Sequence, residues 1–278
     1  MALPRAVDSY LAELSLIGRS PKTVELQTYV LHRLATKLGS GPVRTIDRGN
    51  LVDYFASLSA RGLAQSYIAS NAKVCRRFFN WLVERGEIGQ NPLGGLRIAV
   101  PPDKPVPPFT DEECRRLIAA ADTPLKRAVL LVLMDTGLRA SEVSSLSLAS
   151  INFQTNELTV VGKGSKTRRL ALNPVVKKAL IEHLRSRAQL DGFLWPEGWH
   201  RKHITTIVDS IAKKARITGV FPHRFRHNMA ARMARGGVDV LALQKLMGHS
   251  SLKTTARYMS WVAEDRAVAA HREHPVAC

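Results

Sequence analysis

The chain has 278 residues, 45% of them hydrophobic, which is enough for one large or two modest domains with ordinary cores. It carries 41 lysines and arginines against 23 aspartates and glutamates, and this net charge of +18 predicts an anionic partner, most simply nucleic acid. Three scattered cysteines without a CxxC pair exclude a disulfide framework or zinc knuckle, and the longest apolar run, residues 128–134, is too short to span a membrane.

The first hundred residues have the pattern of a bundle of helices. Apolar residues recur at a helical period over Pro21–Leu38, where Ser20 is a natural N-cap and Gly39 ends the pattern. Two further helices are predicted over 50–60 and 65–85. Basic residues on this part predict contacts with an anionic partner: Lys22, Lys73 and Arg76. The alternative for such residues is a solvated face above an aromatic core.

A proline-rich segment follows the bundle. Five prolines lie within residues 101–108, and each lacks an amide donor and restricts φ, so this stretch is expected to be extended and semi-rigid. Thr110 and Glu113 then form a capping box that begins a helix. The sequence therefore predicts an all-α domain over 1–100, a linker over 101–108 and a second domain over 109–278.

The second domain is predicted to be mainly α with a small β-hairpin, an α+β class. The hairpin joins strands at 157–161 and 167–172 through a basic, glycine-rich tip. The predicted helices cover residues 125–134, 174–187, 203–215, 226–234, 240–247 and 254–258, with a final helix over 263–272. We expect the last helix either to cap its own domain or to pack on a neighbouring protomer.

Six residues of this domain fit one chemistry, the attack of a phenol on a DNA phosphate: Arg139, Lys163, His223, Arg226, His249 and Tyr258. Two arginines can grip the phosphate oxygens and remain charged. The tyrosine would be the nucleophile and His223 its proton acceptor. The lysine at the hairpin tip would protonate the leaving 5′-oxygen, and His249 would donate a hydrogen bond to the phosphate. The guanidinium groups supply the positive charge, so neither a metal nor another cofactor is predicted.

Other interpretations of these residues are weaker. His223 and His227 have the spacing of a helical metal pair, but no acidic residue joins them, and Arg224 and Arg226 would repel a cation. A lone tyrosine is more often a packed or surface residue. Lys166 lies on the same tip and remains an alternative to Lys163 as general acid. Two more DNA contacts are predicted near the hairpin: Lys166 and Arg168.

The motifs that carry these residues resemble those of the tyrosine recombinases, or phage-type integrases, most closely the Xer-like and compact mobile-element members. The matching segments are 136–142, 162–166, 223–226 and 246–249, followed by Tyr258 nine residues after His249. All six catalytic positions of the family are filled. The resemblance covers essentially the whole chain and is weaker before residue 100, where it implies a helical core-DNA-binding domain.

What the resemblance implies is a site-specific DNA recombinase. Tyr258 would form a 3′-phosphotyrosyl bond, and strands would be exchanged through a Holliday junction without ATP. The implied partner is double-stranded DNA, on which four copies of the chain would assemble across two sites. An accessory protein or a second recombinase could join this assembly. The implied location is the cytoplasm, at the nucleoid, without a membrane partner. The alternatives are a related strand transferase, either a topoisomerase or a resolvase, and a non-catalytic DNA-binding accessory protein.

Overall fold

The computed structural model describes residues 1–99, 106–162, 166–187 and 192–249, and then residues 251, 252, 255, 256, 258, 259, 263, 268 and 272. The chain divides into two compact units, Met1–Lys104 and Pro105–Cys278. The prediction of a mainly helical chain with one small sheet is confirmed. Residues 101–105 of the predicted linker lie outside the described residues, as does most of the predicted final helix.

The first unit contains four α-helices among its described residues. They are α1 (Leu3–Leu16), α2 (Pro21–Leu38), α3 (Arg48–Ala60) and α4 (Gln65–Glu84). Tyr10 of α1 packs edge-on against Phe78 and Trp81 of α4, with ring centroids 5.5 and 5.4 Å away. Helix α1 was not predicted, although its buried residues have the spacing of a helix face: Leu3, Val7, Leu11 and Leu14.

The second unit has a core of helices around α6. Its helices are α5 (Asp111–Ala120), α6 (Pro124–Thr136), α7 (Ala140–Ser144), α8 (Pro174–Arg185), α9 (Arg201–Ala215), α10 (Pro222–Arg235) and α11 (Val240–Met247). The apolar run of α6 is buried, and this helix packs against α8 on one side and α10 on another. Helix α10 begins at Pro222, earlier than predicted, because proline suits the first helical turn. His223 therefore belongs to the helix.

A three-stranded antiparallel sheet lies beside these helices, in the order β1 (Ile151–Asn152), β2 (Glu157–Val161) and β3 (Thr167–Ala171). Successive side chains of a strand point to opposite faces. Leu170 is buried, so Arg168, two residues earlier, points to the same inner side, while Arg169 points outward. The sheet therefore directs a guanidinium group toward the interior.

Arg224 of helix α10 binds the first described residues of the second unit. Its Nη2 donates to both carboxylate oxygens of Glu113 at 3.2 and 3.3 Å, and its Nε donates to Pro107 O at 3.2 Å. The guanidinium also lies 4.0 Å from the centre of the Phe109 ring. Because Arg224 is buried and Glu113 also closes the capping box with Thr110, one carboxylate joins the start of α5 to α10.

Replacing Glu113 with glutamine should therefore destabilise the second unit by about 2 kcal/mol, since the buried guanidinium loses its charged acceptor. Glutamine can still complete a capping box, so Thr110→Ala, which removes the cap and should cost about 1 kcal/mol, is the matched control. Urea unfolding followed by circular dichroism measures the free energy of unfolding of both variants. A smaller loss for Glu113→Gln than for Thr110→Ala would contradict the assigned role of the ion pair.

Candidate active site

Arg139 is placed by the junction between α6 and α7. Gly137 ends α6 in the left-handed region at φ 60°, and a Cβ there would lie 3.2 Å from the side chain of Met229 on α10. Only glycine allows both this backbone conformation and this close packing. Arg139 follows as the N-cap of α7, and its side chain remains about one-third exposed. A rigid corner therefore presents this guanidinium.

Glu142 is the buried carboxylate of this corner, and two arginines share it. Arg139 donates its backbone N–H to Oε2 at 2.8 Å and its Nη1 to Oε1 at 2.9 Å. Arg168 donates to both oxygens at 3.1 and 2.9 Å, and its Nε donates to Leu246 O at 2.9 Å. Burial by itself would raise the pKa of Glu142, but the hydrogen bonds from Arg168 and Arg139 outweigh it and hold the pKa below its ordinary value.

Arg226 of α10 is a cation buried almost completely, with 1% of its surface exposed. Its Nη1 donates to Gly137 O at 3.0 Å and its Nη2 donates to Met247 O. Its Nε has no hydrogen-bond partner among the described residues. Burial, followed by the charge of Arg139, lowers the pKa of Arg226 to about 10, although Glu142 opposes this shift. The group remains charged at neutral pH, and no carboxylate of the described residues is bonded to it.

Helix α10 carries three of the site's side chains. Arg226 and His227 lie three and four residues after His223, so both are its neighbours one turn further along the helix. The rings of His223 and His227 meet edge to face with centroids 4.8 Å apart. Burial, then the charges of Arg226 and Arg139, lower the pKa of His223 below its ordinary value. His223 is therefore mostly neutral at pH 7.

Tyr258 lies against this face and is 2% exposed. It belongs to an apolar cluster with Met229, Leu243 and Met247. Its hydroxyl forms a hydrogen bond with His227 Nδ1 at 2.8 Å. The Tyr258 ring is also nearly parallel to that of His249, with a 9° interplanar angle and centroids 6.1 Å apart.

His249 follows the left-handed C-cap of α11 at Gly248. Its Nδ1 shares a hydrogen bond with Thr255 Oγ1 at 2.9 Å. Burial, and next the charge of Arg226, lower the pKa of His249 to about 4. His249 is therefore a neutral imidazole at physiological pH and can donate one N–H to an anion without adding charge.

An open cavity of about 560 Å³ lies next to these groups. Arg139 and His223 line one part of it, while Arg201, Lys202 and Thr205 from the first turns of α9 line another. Cationic and hydroxyl groups around one opening make an environment suited to phosphate. The chemistry of the site is therefore that of binding an anion beside a buried phenol.

Comparison with known proteins shows the family of the chain. A model of the phage integrase family matches residues 108–264. The tyrosine recombinase XerA of Pyrococcus furiosus is 30% identical, over 91% of this chain and 88% of that protein. The tyrosine recombinase XerC of Pelobacter propionicus is 31% identical, over 88% of this chain and 85% of that protein. The chain belongs to the phage integrase family, the tyrosine recombinases.

Solved structures agree with this membership at the level of the fold. The Tn1549 transposon integrase in complex with a circular intermediate DNA superposes with a TM-score of 0.78, at 18% identity, over 94% of this chain and 99% of that chain. A lambda integrase dimer bound to a core site has a TM-score of 0.77 at 17% identity, over 93% of this chain and 95% of that chain. Within the described residues of this recombinase, no helix is long and apolar enough to cross a membrane.

Five of the six predicted catalytic residues of this tyrosine recombinase lie in one region. Arg139, His223, Arg226, His249 and Tyr258 are linked by the contacts and charge interactions above. Lys163 lies outside the described residues, so its role stays a prediction. The sequence motifs assign no catalytic role to two further groups that lie at the site, the Glu142–Arg168 pair and His227.

The predicted DNA contacts are distributed over both units of the recombinase. In the first unit Lys22 and Lys73 are exposed, while Arg76 is half-buried and donates to Leu96 O at 2.6 Å. In the second unit Lys166 is exposed. Arg168 requires a correction, because its side chain is 10% exposed and its guanidinium is bonded to Glu142 and Leu246. We therefore treat Arg168 as an internal partner of Glu142.

The lowered pKa of Glu142 gives a pH test. Its carboxylate should stabilise the fold above the ordinary glutamate pKa of about 4.3, and this stabilisation should be lost as the pH falls through the lower pKa of the folded state. Wild type should therefore be more stable than Glu142→Gln at neutral pH, and the difference in free energy of unfolding should shrink below about pH 4. Denaturant unfolding at several pH values measures this difference, with Glu157→Gln, whose side chain is 41% exposed, as control. A difference that does not change with pH would contradict the charge-based role.

Proposed function

We propose that this tyrosine recombinase cleaves and rejoins DNA at specific sites, with Tyr258 as the nucleophile and a 3′-phosphotyrosyl intermediate. The observation that carries the proposal is the position of Tyr258, whose hydroxyl is bonded to one imidazole and whose ring lies beside another, next to the buried Arg226. A positively charged site lowers the barrier for a phenol to react as an oxyanion. The net charge of +18 supports DNA as the polyanion.

The two arginines would stabilise the phosphorus in its pentacoordinate state. Arg139 is partly exposed at the cavity and can reach a non-bridging oxygen, while Arg226 is fixed by two backbone carbonyls. A bound phosphate would also compensate the cost of the buried Arg226 charge, which its lowered pKa reports. Preorganised cations of this kind require little rearrangement when charge develops.

The remaining groups would handle protons and hydrogen bonds. His223 lines the cavity beside Arg139 and His249 lies over Tyr258, so both neutral imidazoles are available to non-bridging oxygens. Lys163, or Lys166 as the alternative on the same hairpin tip, would protonate the leaving 5′-oxygen. The sequence favoured His223 as proton acceptor, but the hydrogen bond of Tyr258 to His227 supports a different assignment.

The first unit would act as a DNA-binding domain. Lys73 and Arg76 line a groove of about 430 Å³ together with Arg97, which concentrates three cations at one opening of the helical unit. Exposed Lys22 adds a further contact in this proposal. With the linker joining it to the catalytic domain, each protomer would bind one half of a core site. Four protomers would then assemble on two sites, with any accessory protein or second recombinase joining this assembly.

Tyr258→Phe should abolish covalent attachment to DNA and leave binding nearly unchanged, since only the hydroxyl is lost. A nicked duplex that carries a recombination site traps the covalent product, which a denaturing protein gel resolves. Tyr29→Phe, which changes an exposed tyrosine of the first unit, is the matched control and should still form the adduct. Covalent product from Tyr258→Phe would remove this residue from the proposal.

Arg139→Ala should slow cleavage by at least about 100-fold, the scale for losing one donor to a developing oxyanion. The side chain is about one-third exposed, so the fold should tolerate the change. Single-turnover cleavage at saturating protein measures the rate, and thermal unfolding checks the fold. Arg115→Lys, on the exposed face of α5, is the control. A rate within a few-fold of wild type would show that Arg139 is not part of the site.

A further inference from the structure

The hydroxyl of the proposed nucleophile has a partner that the sequence motifs did not indicate. His227 follows Arg226 directly, and the sequence suggests a role for it only as half of a metal pair. In the structure its Nδ1 lies 2.8 Å from Tyr258 Oη, a normal length for a hydrogen bond between a phenol and an imidazole. The two rings are tilted by 48° with centroids 5.5 Å apart, so the contact is made through the polar atoms.

The other two histidines of the site are oriented differently. His249 is stacked parallel to the Tyr258 ring, and its Nδ1 is bonded to Thr255 Oγ1. His223 meets His227 edge to face, one helical turn away, and lines the cavity with Arg139. Neither has a hydrogen bond to Tyr258 Oη among the described contacts. His227 is therefore the imidazole placed to exchange a proton with the phenol.

We propose that His227 is the catalytic residue that accepts the proton of Tyr258 when the tyrosine attacks DNA. The inference rests on the proposed function of Tyr258 as nucleophile and assigns the proton acceptor of that same site. His223, which the sequence favoured for this task, is left as a hydrogen-bonding partner of the phosphate.

The step balances without any further reactant. The Tyr258 O–H bond breaks, the proton moves to His227 Nδ1, and the oxygen lone pair forms the bond to phosphorus. The bond from phosphorus to the 5′-oxygen then breaks, and that oxygen takes a proton from the lysine acid. In rejoining, the 5′-hydroxyl attacks, its proton returns to the lysine, and His227 gives its proton back to the phenol oxygen.

Burial makes such an acceptor necessary. An unperturbed phenol has a pKa of about 10, so at neutral pH it keeps its proton. Tyr258 is 2% exposed, which leaves bulk water little access to its hydroxyl. A base within hydrogen-bond reach is the geometric requirement for general base catalysis, and such catalysis contributes about 100-fold or more.

The test compares His227→Ala with His227→Asn in single-turnover cleavage of a nicked site at saturating protein. Alanine removes both the hydrogen bond and the base. Asparagine can place an acceptor oxygen close to the position of Nδ1 and is not basic. We expect both variants to bind DNA as wild type does, to cleave about 100-fold more slowly near pH 7, and to recover as the pH approaches about 10. His32→Asn, an exposed histidine of α2, is the matched control and should cleave at the wild-type rate.

A second substrate distinguishes the base from the acid. If the 5′-bridging oxygen is replaced by sulfur, the leaving thiolate needs no proton, because thiols have a pKa of about 8.5. This substrate should restore cleavage by Lys163→Ala and should leave the defect of His227→Ala in place. Restoration of both variants would overturn the assignment of His227 as base.

The remaining outcomes separate this inference from the proposed function. An asparagine variant that cleaves at the wild-type rate would show that His227 only positions Tyr258. An alanine variant that cleaves faster than wild type would show that His227 restrains the tyrosine. Either result overturns the inference while Tyr258 remains the nucleophile. If wild type itself forms no covalent product, or Tyr258→Phe still does, the proposed function fails instead.

Discussion

A buried arginine held by two backbone carbonyls is the constraint on which the site depends. Arg226 donates to Gly137 O at the end of α6 and to Met247 O at the end of α11. The carboxyl end of a helix carries partial negative charge, so two helix ends together offset part of the cost of burying this cation. Each carbonyl lies two residues before a predicted catalytic side chain, Arg139 after the first and His249 after the second. One guanidinium thus fixes the two junctions that present them.

The balance of charge around Arg226 explains why the site suits an anion. Glu142 is the buried carboxylate near it, and Arg139 and Arg168 already share its oxygens. The excess positive charge appears in the lowered pKa values of Arg226, His223 and His249, each of which responds first to burial and then to neighbouring cations. A phosphate entering the cavity would relieve this repulsion, and the two imidazoles would remain neutral donors rather than added charges.

The sequence predicted most of the helices and the hairpin because their apolar residues recur at 3.6- or 2-residue periods, which are local signals. It also predicted five residues that the structure brings together, because the recombinase motifs preserve their spacing.

The sequence did not predict the partners that depend on tertiary contact. Arg168 and Glu142 are separated by 26 residues and pair only when β3 lies beside α7. The alternation with Leu170 was the available signal that Arg168 points inward, but an arginine at a buried position is uncommon. His227 meets Tyr258 across 31 residues, a contact set by the turn after α11.

The most direct test of the account is to identify the residue that carries the DNA. Wild-type protein trapped on a nicked site would be digested with trypsin and nuclease, and the peptide that retains a nucleotide would be sequenced by mass spectrometry. We predict one modified peptide, with the 3′-phosphate on Tyr258 next to the Arg226 cation. A nucleotide on any other residue, or DNA that is bound at the site and never becomes covalent, would contradict it.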